Sequence, residues 1–191
     1  MLNIIAGSLS VGVTPSSSSY ESIATVTVGA GGSSTITFSS IPSTYEHLQL
    51  RFIVRSAAAA NSCAVFVRFN SDSGSNYYTY HEIFGDGATA AAYAGGAGTQ
   101  VQLDQFPAAN RATGIFGVAV LDILDYKSTN KNKTTRLLSG FDANGAGSVV
   151  FGSALWKPST IAAINTITIT ENNANNFAQY SQFALYGIKG S

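Results

Sequence analysis

Charge is what this sequence has least of. Ten basic and ten acidic side chains in 191 residues amount to 10% of the chain and cancel to zero, against roughly 25% in an ordinary soluble protein. No basic stripe is available to neutralise phosphates, so nucleic acid is not an expected partner. Cysteine is nearly missing as well. Cys63 stands alone in an apolar run, which excludes an internal disulfide framework and reads as a small buried hydrophobe. The opening MLNIIAGSLSVGV is too short to span a bilayer and lacks a positive flank. Neither membrane insertion nor a secretory leader is expected from it.

Helix signals are also sparse, and strand signals fill their place. HLQLRFIVR alternates clearly, with Leu48, Leu50, Phe52 and Val54 on one face and His47, Gln49, Arg51 and Arg55 on the other. Side chains alternate along a strand, so this period of two marks one buried face and one wet face. SIATVTVG and STITFSS alternate in the same way, and Gly29-Ala30-Gly31-Gly32 between them reads as a hairpin turn. CAVFVRFN, YYTYHEIF, IFGVAVLDIL, TTRLLSGF, SVVFGSALW, INTITITE and QFALYGIK complete about ten strands with no βαβ rhythm. The expected fold is all-β: an antiparallel β-sandwich, jelly-roll-like, with an extended N-terminal arm. Pro42-Ser43-Thr44 and Pro158-Ser159-Thr160 are each expected to support one helical turn.

Two segments depart from that rhythm. Residues 1–19 form an arm and a Ser-rich linker ahead of a body at residues 20–191. Leu2, Ile4, Ile5, Leu9, Val11 and Val13 make the arm apolar and uncharged, so they are expected to bind a partner by strand addition to another chain, beside the simpler reading that the arm folds back on its own sandwich as an edge strand. The second segment is an Ala/Gly-rich loop at about 85–113, with a short strand expected around Thr99 to Leu103. Loops of that length are usually functional or ordered against a partner.

Catalytic chemistry finds little support. No G-x-S-x-G is present, and His47 and His81 fall in different strands without metal-ligand spacing. Asp122 and Asp125 lie three apart on one strand, hence on opposite faces, and would not flank a glycosidic bond. FNSDSGSNYYTY carries the acids, amides and glycine of a calcium loop. Counted from Asn70, however, glycine falls at position five and His81 at twelve, where an EF-hand needs Gly at six and Glu at twelve. A hairpin connection without metal is expected there. Neither a cofactor nor an enzymatic activity is expected. YKSTNKNKTTR is the one locally basic stretch and reads as a solvated hairpin. Tyr77, Tyr78, Tyr80, Tyr93 and Trp156 remain as candidate ligand or interface aromatics, beside the simpler reading that such rings fill the core.

The phrases MLNIIAGSLS, SYESIATVTVGAGGSSTITFSSIPSTYEHLQLRF, FNSDSGSNYYTY and FAQYSQFALYGIKG resemble small virion structural proteins of tailed bacteriophages, marine and freshwater phages especially. The resemblance implies a non-enzymatic virion component with a β-sandwich body, assembled in the host cytoplasm. Two placements stay open. One is a capsid decoration (cement) protein, a homotrimer touching the major capsid protein or other virion proteins. The other is a tail-fibre or receptor-binding module contacting host-surface glycan.

Overall fold

The computed structural model describes residues 19–190, apart from the side chains of residues 79–81. Thirteen strands follow in order: β1 (Tyr20–Thr27), β2 (Thr35–Phe38), β3 (His47–Val54), β4 (Ser62–Phe69), β5 (Tyr77–Gly85), β6 (Ala90–Tyr93) and β7 (Ala97–Gly98). They continue with β8 (Val101–Pro107), β9 (Gly117–Ile123), β10 (Lys133–Asp142), β11 (Gly147–Trp156), β12 (Ile167–Glu171) and β13 (Gln182–Ile188). No helix occurs among the described residues.

Eight of these strands make a jelly roll. The order β1-β13-β3-β9 in one sheet faces β2-β12-β4-β8 in the other, and every pairing is antiparallel. Numbered among themselves, the eight read 1-8-3-6 over 2-7-4-5, the double Greek key of that architecture. Two insertions, β5 to β7 and β10–β11, add to one edge of the first sheet, which continues β9-β10-β11-β5-β6. The smaller sheet does not grow to match. The larger one therefore overhangs it beyond β8.

Alternation explains the core. Leu48, Leu50, Phe52 and Val54 of β3 point inward with Val65, Val67 and Phe69 of β4, Ile167 and Ile169 of β12, and Phe183 and Leu185 of β13. Each such burial contributes about 1.5–3 kcal/mol. Phe52 packs on Phe106 and Phe183 at 5.6 Å between ring centroids, and Phe177 on Phe183 at 4.9 Å. Cys63 is buried as expected. Removal from water pushes its thiol up to about 12, with the charges of Glu171 and Asp104 adding to burial against a Ser56 hydrogen bond.

Several local expectations are corrected. Gly29 to Gly32 does not close a hairpin: β1 and β2 belong to opposite sheets, and the turn carries the chain across the sandwich. The Pro42 and Pro158 segments are extended or bent, without a helical turn. The stretch 85–113 is not one loop but holds β6, β7 and β8, and the strand expected near Thr99 runs longer, to Pro107. Its far end is fixed from below, where the Arg55 guanidinium donates to the carbonyls of Ala109, Arg111, Ala112 and Ile115. The basic hairpin is not wholly solvated either. Lys133 is buried and donates to the carbonyls of Ser128 and Lys131, both at 2.6 Å. The arm residues Leu2, Ile4, Ile5, Leu9, Val11 and Val13 lie outside the described residues.

Candidate functional site

The polar turn between β4 and β5 is a lock built around one carboxylate. Asp72 accepts from the Trp156 indole Nε1 at 2.7 Å, from Gly74 N at 2.9 Å and from the Asn76 amide. Burial alone would push this carboxyl up, but those donors, with the charge of Arg68, together bring it below its usual range. Tyr77 completes the lock, its hydroxyl donating to the carbonyls of Phe69 and Asp72 and accepting from Phe69 N. Asn70 and Ser71 make the reversal in the left-handed region, at φ 51° and 58°.

This arrangement separates the candidate aromatics. Tyr77 and Trp156 are buried, stacked 6.3 Å apart and hydrogen-bonded within the turn, and Tyr77 also lines the rim cavity described below. Both follow the simpler reading, in which a ring with a polar tip is buried where a partner for the tip exists inside. Tyr78 is half-buried and lies opposite Leu155 of β11. Tyr80 sits at a β-bulge, since Ser153 pairs with His81 while Ala154 pairs with Thr79, and its side chain lies outside the description. The bulge interrupts the strand's alternation between Tyr78 and Glu82. Of the four whose side chains are described, Tyr93 alone is exposed, at 55%.

Two surfaces emerge that could engage a partner. The first is the outer face of the larger sheet, where registers align side chains into rows. One row runs Ile53–Val118–Gly140–Val149–Gly85, across β3, β9, β10, β11 and β5. The next runs Val120–Leu138–Phe151–Ile83–Ala92, from β9 to β6. Ile53, Ile83, Val118, Leu138, Val149 and Phe151 are 46–57% exposed in these two rows. Strands sit about 4.8 Å apart, so five of them make an apolar band roughly 20 Å wide. A contiguous patch of several hundred Å² is more than scattered surface apolar residues would give. Beside it the face turns polar: Gln49 donates to Asp122 at 2.7 Å, Arg51 donates to Gln49, and Arg136 approaches Asp122 at 3.9 Å. Arg51 also lies over the Tyr20 and Tyr186 rings, 5.4 and 4.8 Å from their centroids.

The second surface is a rim cavity of about 190 Å³, under the overhang. Glu82 of β5 and Tyr93 of β6 are register partners and both line it, with Gln102, Gln100 and the backbone of residues 95–98. Burial first, then the charge of Asp104 on β8, pushes the Glu82 carboxyl up to about 7. The Gln102 amide donates to both Asp104 oxygens at 3.0 Å. Sequence reading passed over Glu82, although it sits two residues from inward-facing Phe84 in YYTYHEIF. A carboxylate on the buried phase of a strand was the available signal. Asp122 and Asp125 form no such pair: Asp122 is held by Gln49, and Asp125 meets Lys131 at 3.3 Å. Among the described residues, no three His, Cys, Asp or Glu side chains gather as a metal site would require.

No family model and no curated protein matches this chain. Among solved structures, the galectin LEC-6 of Caenorhabditis elegans is similar at a TM-score of 0.34 and 6% identity, covering 87% of this chain and 96% of that one. So remote a likeness carries no inference about ligand or activity.

Proposed function

We propose that this chain is a non-enzymatic structural protein of a tailed-phage virion, specifically a decoration protein that self-associates and stabilises the shell. The single observation that supports this most is the apolar outer face of the larger sheet. Its two rows lie on the side that a free-standing sandwich would leave to water, and sheets bury such faces by packing on another chain. The occupant is a second copy of the chain, since the flanking polar row offers both signs, Arg51 and Arg136 beside Asp122, to a copy of itself. The sequence adds a surface with few charges to keep copies apart. Jelly rolls serve capsids and lectins alike, so the fold by itself does not choose between placements.

Sedimentation of the full chain at micromolar concentration tests self-association: a trimer or other closed oligomer is expected, and a clean monomer overturns it. The virion placement is tested by band intensity in purified particles against the major capsid protein. Hundreds of copies are expected, whereas a few to some dozens favours a tail fibre. Deleting Met1 to Pro15 is expected to leave the body folded and abolish loading onto particles.

A further inference from the structure

The smaller sheet ends under a roof that runs on past it. Among the described residues β8 pairs with β4 on one side and with no strand on the other, while β10, β11 and β5 pass over it. Two openings lie between β8 and that roof. One is the rim cavity, and the other, of about 320 Å³, is lined in part by Phe84, Ala91, Gln105 and Ser148. Phe84 pairs with Ala91 across β5 and β6, and Glu82 with Tyr93 two residues away, so one underside carries all four. Phe84 is half-buried, and Ala91 and Tyr93 are exposed. Within the described residues, apolar groups on that underside stay uncovered.

An edge strand offers a row of unpaired N–H and C=O groups to any strand laid beside it. β8 is guarded at one end only. Gln105 turns at φ 66° near the register shift against β4, and Pro107 ends the strand. Val101 to Leu103 pair with β4 in regular register and carry no charge. The sequence holds a segment suited to that edge. Leu9-Ser10-Val11-Gly12-Val13 alternates apolar with small residues and is uncharged.

Reach decides which copy supplies it. The Ser19 carbonyl accepts from Lys189 N beside β1, at the opposite edge of the larger sheet. From β1 to β10 the order β1-β13-β3-β9-β10 sets four strand spacings, about 19 Å, and facing sheets lie a further 10 Å or so apart. The connection from Thr14 to Ser18 spans at most about 18 Å when fully extended. Residues 9–13 therefore fall short of the β8 edge in their own chain. We propose that the β8 edge accepts residues 9–13 of a second copy as an added strand, with its apolar side chains turned toward Phe84, Ala91 and Tyr93. This inference rests on the self-association reading and gives it a mode. Donation is head-to-tail, so it closes as a ring of copies where the rotation permits. The groove lies on the underside of the sheet whose outer face bears the apolar rows, which leaves one copy able to use both.

The test is disulfide trapping between full-length chains. A Val11→Cys chain is mixed with an Ala91→Cys chain, oxidised mildly and run on a non-reducing gel. Cys63 is buried and stays out of the reaction. A covalent dimer is expected at several times the yield obtained when Val11→Cys is mixed with Thr25→Cys, which places the thiol on the exposed β1 edge. Both substitutions in one chain should give disulfide-linked oligomers. Equal or greater trapping at Thr25→Cys overturns the proposal, as does an intramolecular disulfide in the double variant. Ala91→Glu alters an exposed side chain and is expected to leave the circular dichroism unchanged while weakening association about tenfold. A wild type that sediments as a monomer overturns the self-association reading and this one with it. An oligomer that persists in Ala91→Glu, without trapping at Ala91→Cys, overturns this inference alone.

Discussion

The jelly-roll half of the larger sheet and its added half differ in how they treat their two faces. In β1-β13-β3-β9 the inner face is apolar and aromatic, with Leu50, Phe52, Phe183 and Leu185 fully or nearly buried, while much of the outer face is tied up by Arg51, Gln49 and Asp122. Across β10-β11-β5 the inner face admits Lys133, Thr135, Ser139, Ser148 and Glu82 as buried polar groups. There the outer face shows Leu138, Val149, Phe151 and Ile83. The added half thus mixes these buried polar groups with Tyr77, Leu137, Val150 and Trp156 inside, and leaves more apolar surface outside. The difference teaches that burial within the chain explains the first half more fully than the second, whose open apolar face is what the proposed self-association would cover.

Four substitutions would break or sharpen that contrast. Phe183→Ala removes a ring that packs against both Phe52 and Phe177, and is expected to cost about 3–5 kcal/mol, read by chemical denaturation. A loss under about 1 kcal/mol would mean that the jelly-roll core is not the stable half.

Glu82→Gln comes next and has the opposite sign. Because Glu82 is held up at about 7 in the folded chain, against 4.5 for the free group, the folded state binds the extra proton between these values. Its contribution is complete below about pH 4.5 and lost as pH rises toward 7. The wild type should therefore lose stability over that interval. The variant should not, and should be more stable at pH 8 by on the order of 2–3 kcal/mol. Identical pH profiles would remove Glu82 from the account.

Trp156→Phe keeps an aromatic ring, though a smaller one, and deletes one donor to Asp72. It is expected to cost about 1–3 kcal/mol at pH 7. Asp72 is lowered, so its contribution is present above its unfolded value near 3.8 and fades as pH falls through the folded one. The gap between variant and wild type should accordingly shrink in acid. A gap that stays constant down to pH 2 would mean the indole acts by packing alone.

Phe151→Asp has the smallest effect on folding and the most telling one on assembly. The side chain is 57% exposed, so the monomer's stability should change by no more than about 0.5 kcal/mol. Sedimentation should nevertheless shift toward monomer, because a charge would enter the centre of the band. An unchanged oligomer would place the interface elsewhere.

Strand phase was legible wherever alternation ran unbroken. Leu48, Leu50, Phe52 and Val54 were assignable to the core from HLQLRFIVR, and they are buried. Phase failed at the bulge near Tyr80, where one extra residue shifts the alternation and no composition signal marks it. The β10–β11 hairpin turns at Asn144 and Gly145, with φ of 57° and 103°, an Asn-Gly pair of the kind such turns favour. The Gly29 to Gly32 turn looked equally like a hairpin, because glycine permits reversal without saying which sheet the next strand joins.

By itself the sequence determined the class of fold, since a period of two with Gly, Ser and Asn between runs leaves strands as the economical way to bury half of each segment. It also determined the low charge that leaves few repulsions between copies. Tertiary structure alone decided which faces stayed open. Ile53, Val118, Leu138, Val149, Phe151 and Ile83 are spread over nearly a hundred residues of chain, and only strand order and register set them side by side. Glu82, Tyr93 and Asp104 meet for the same reason: β5 turns back into β6 and passes over β8, so that chain reversal creates their proximity and no local pattern encodes it.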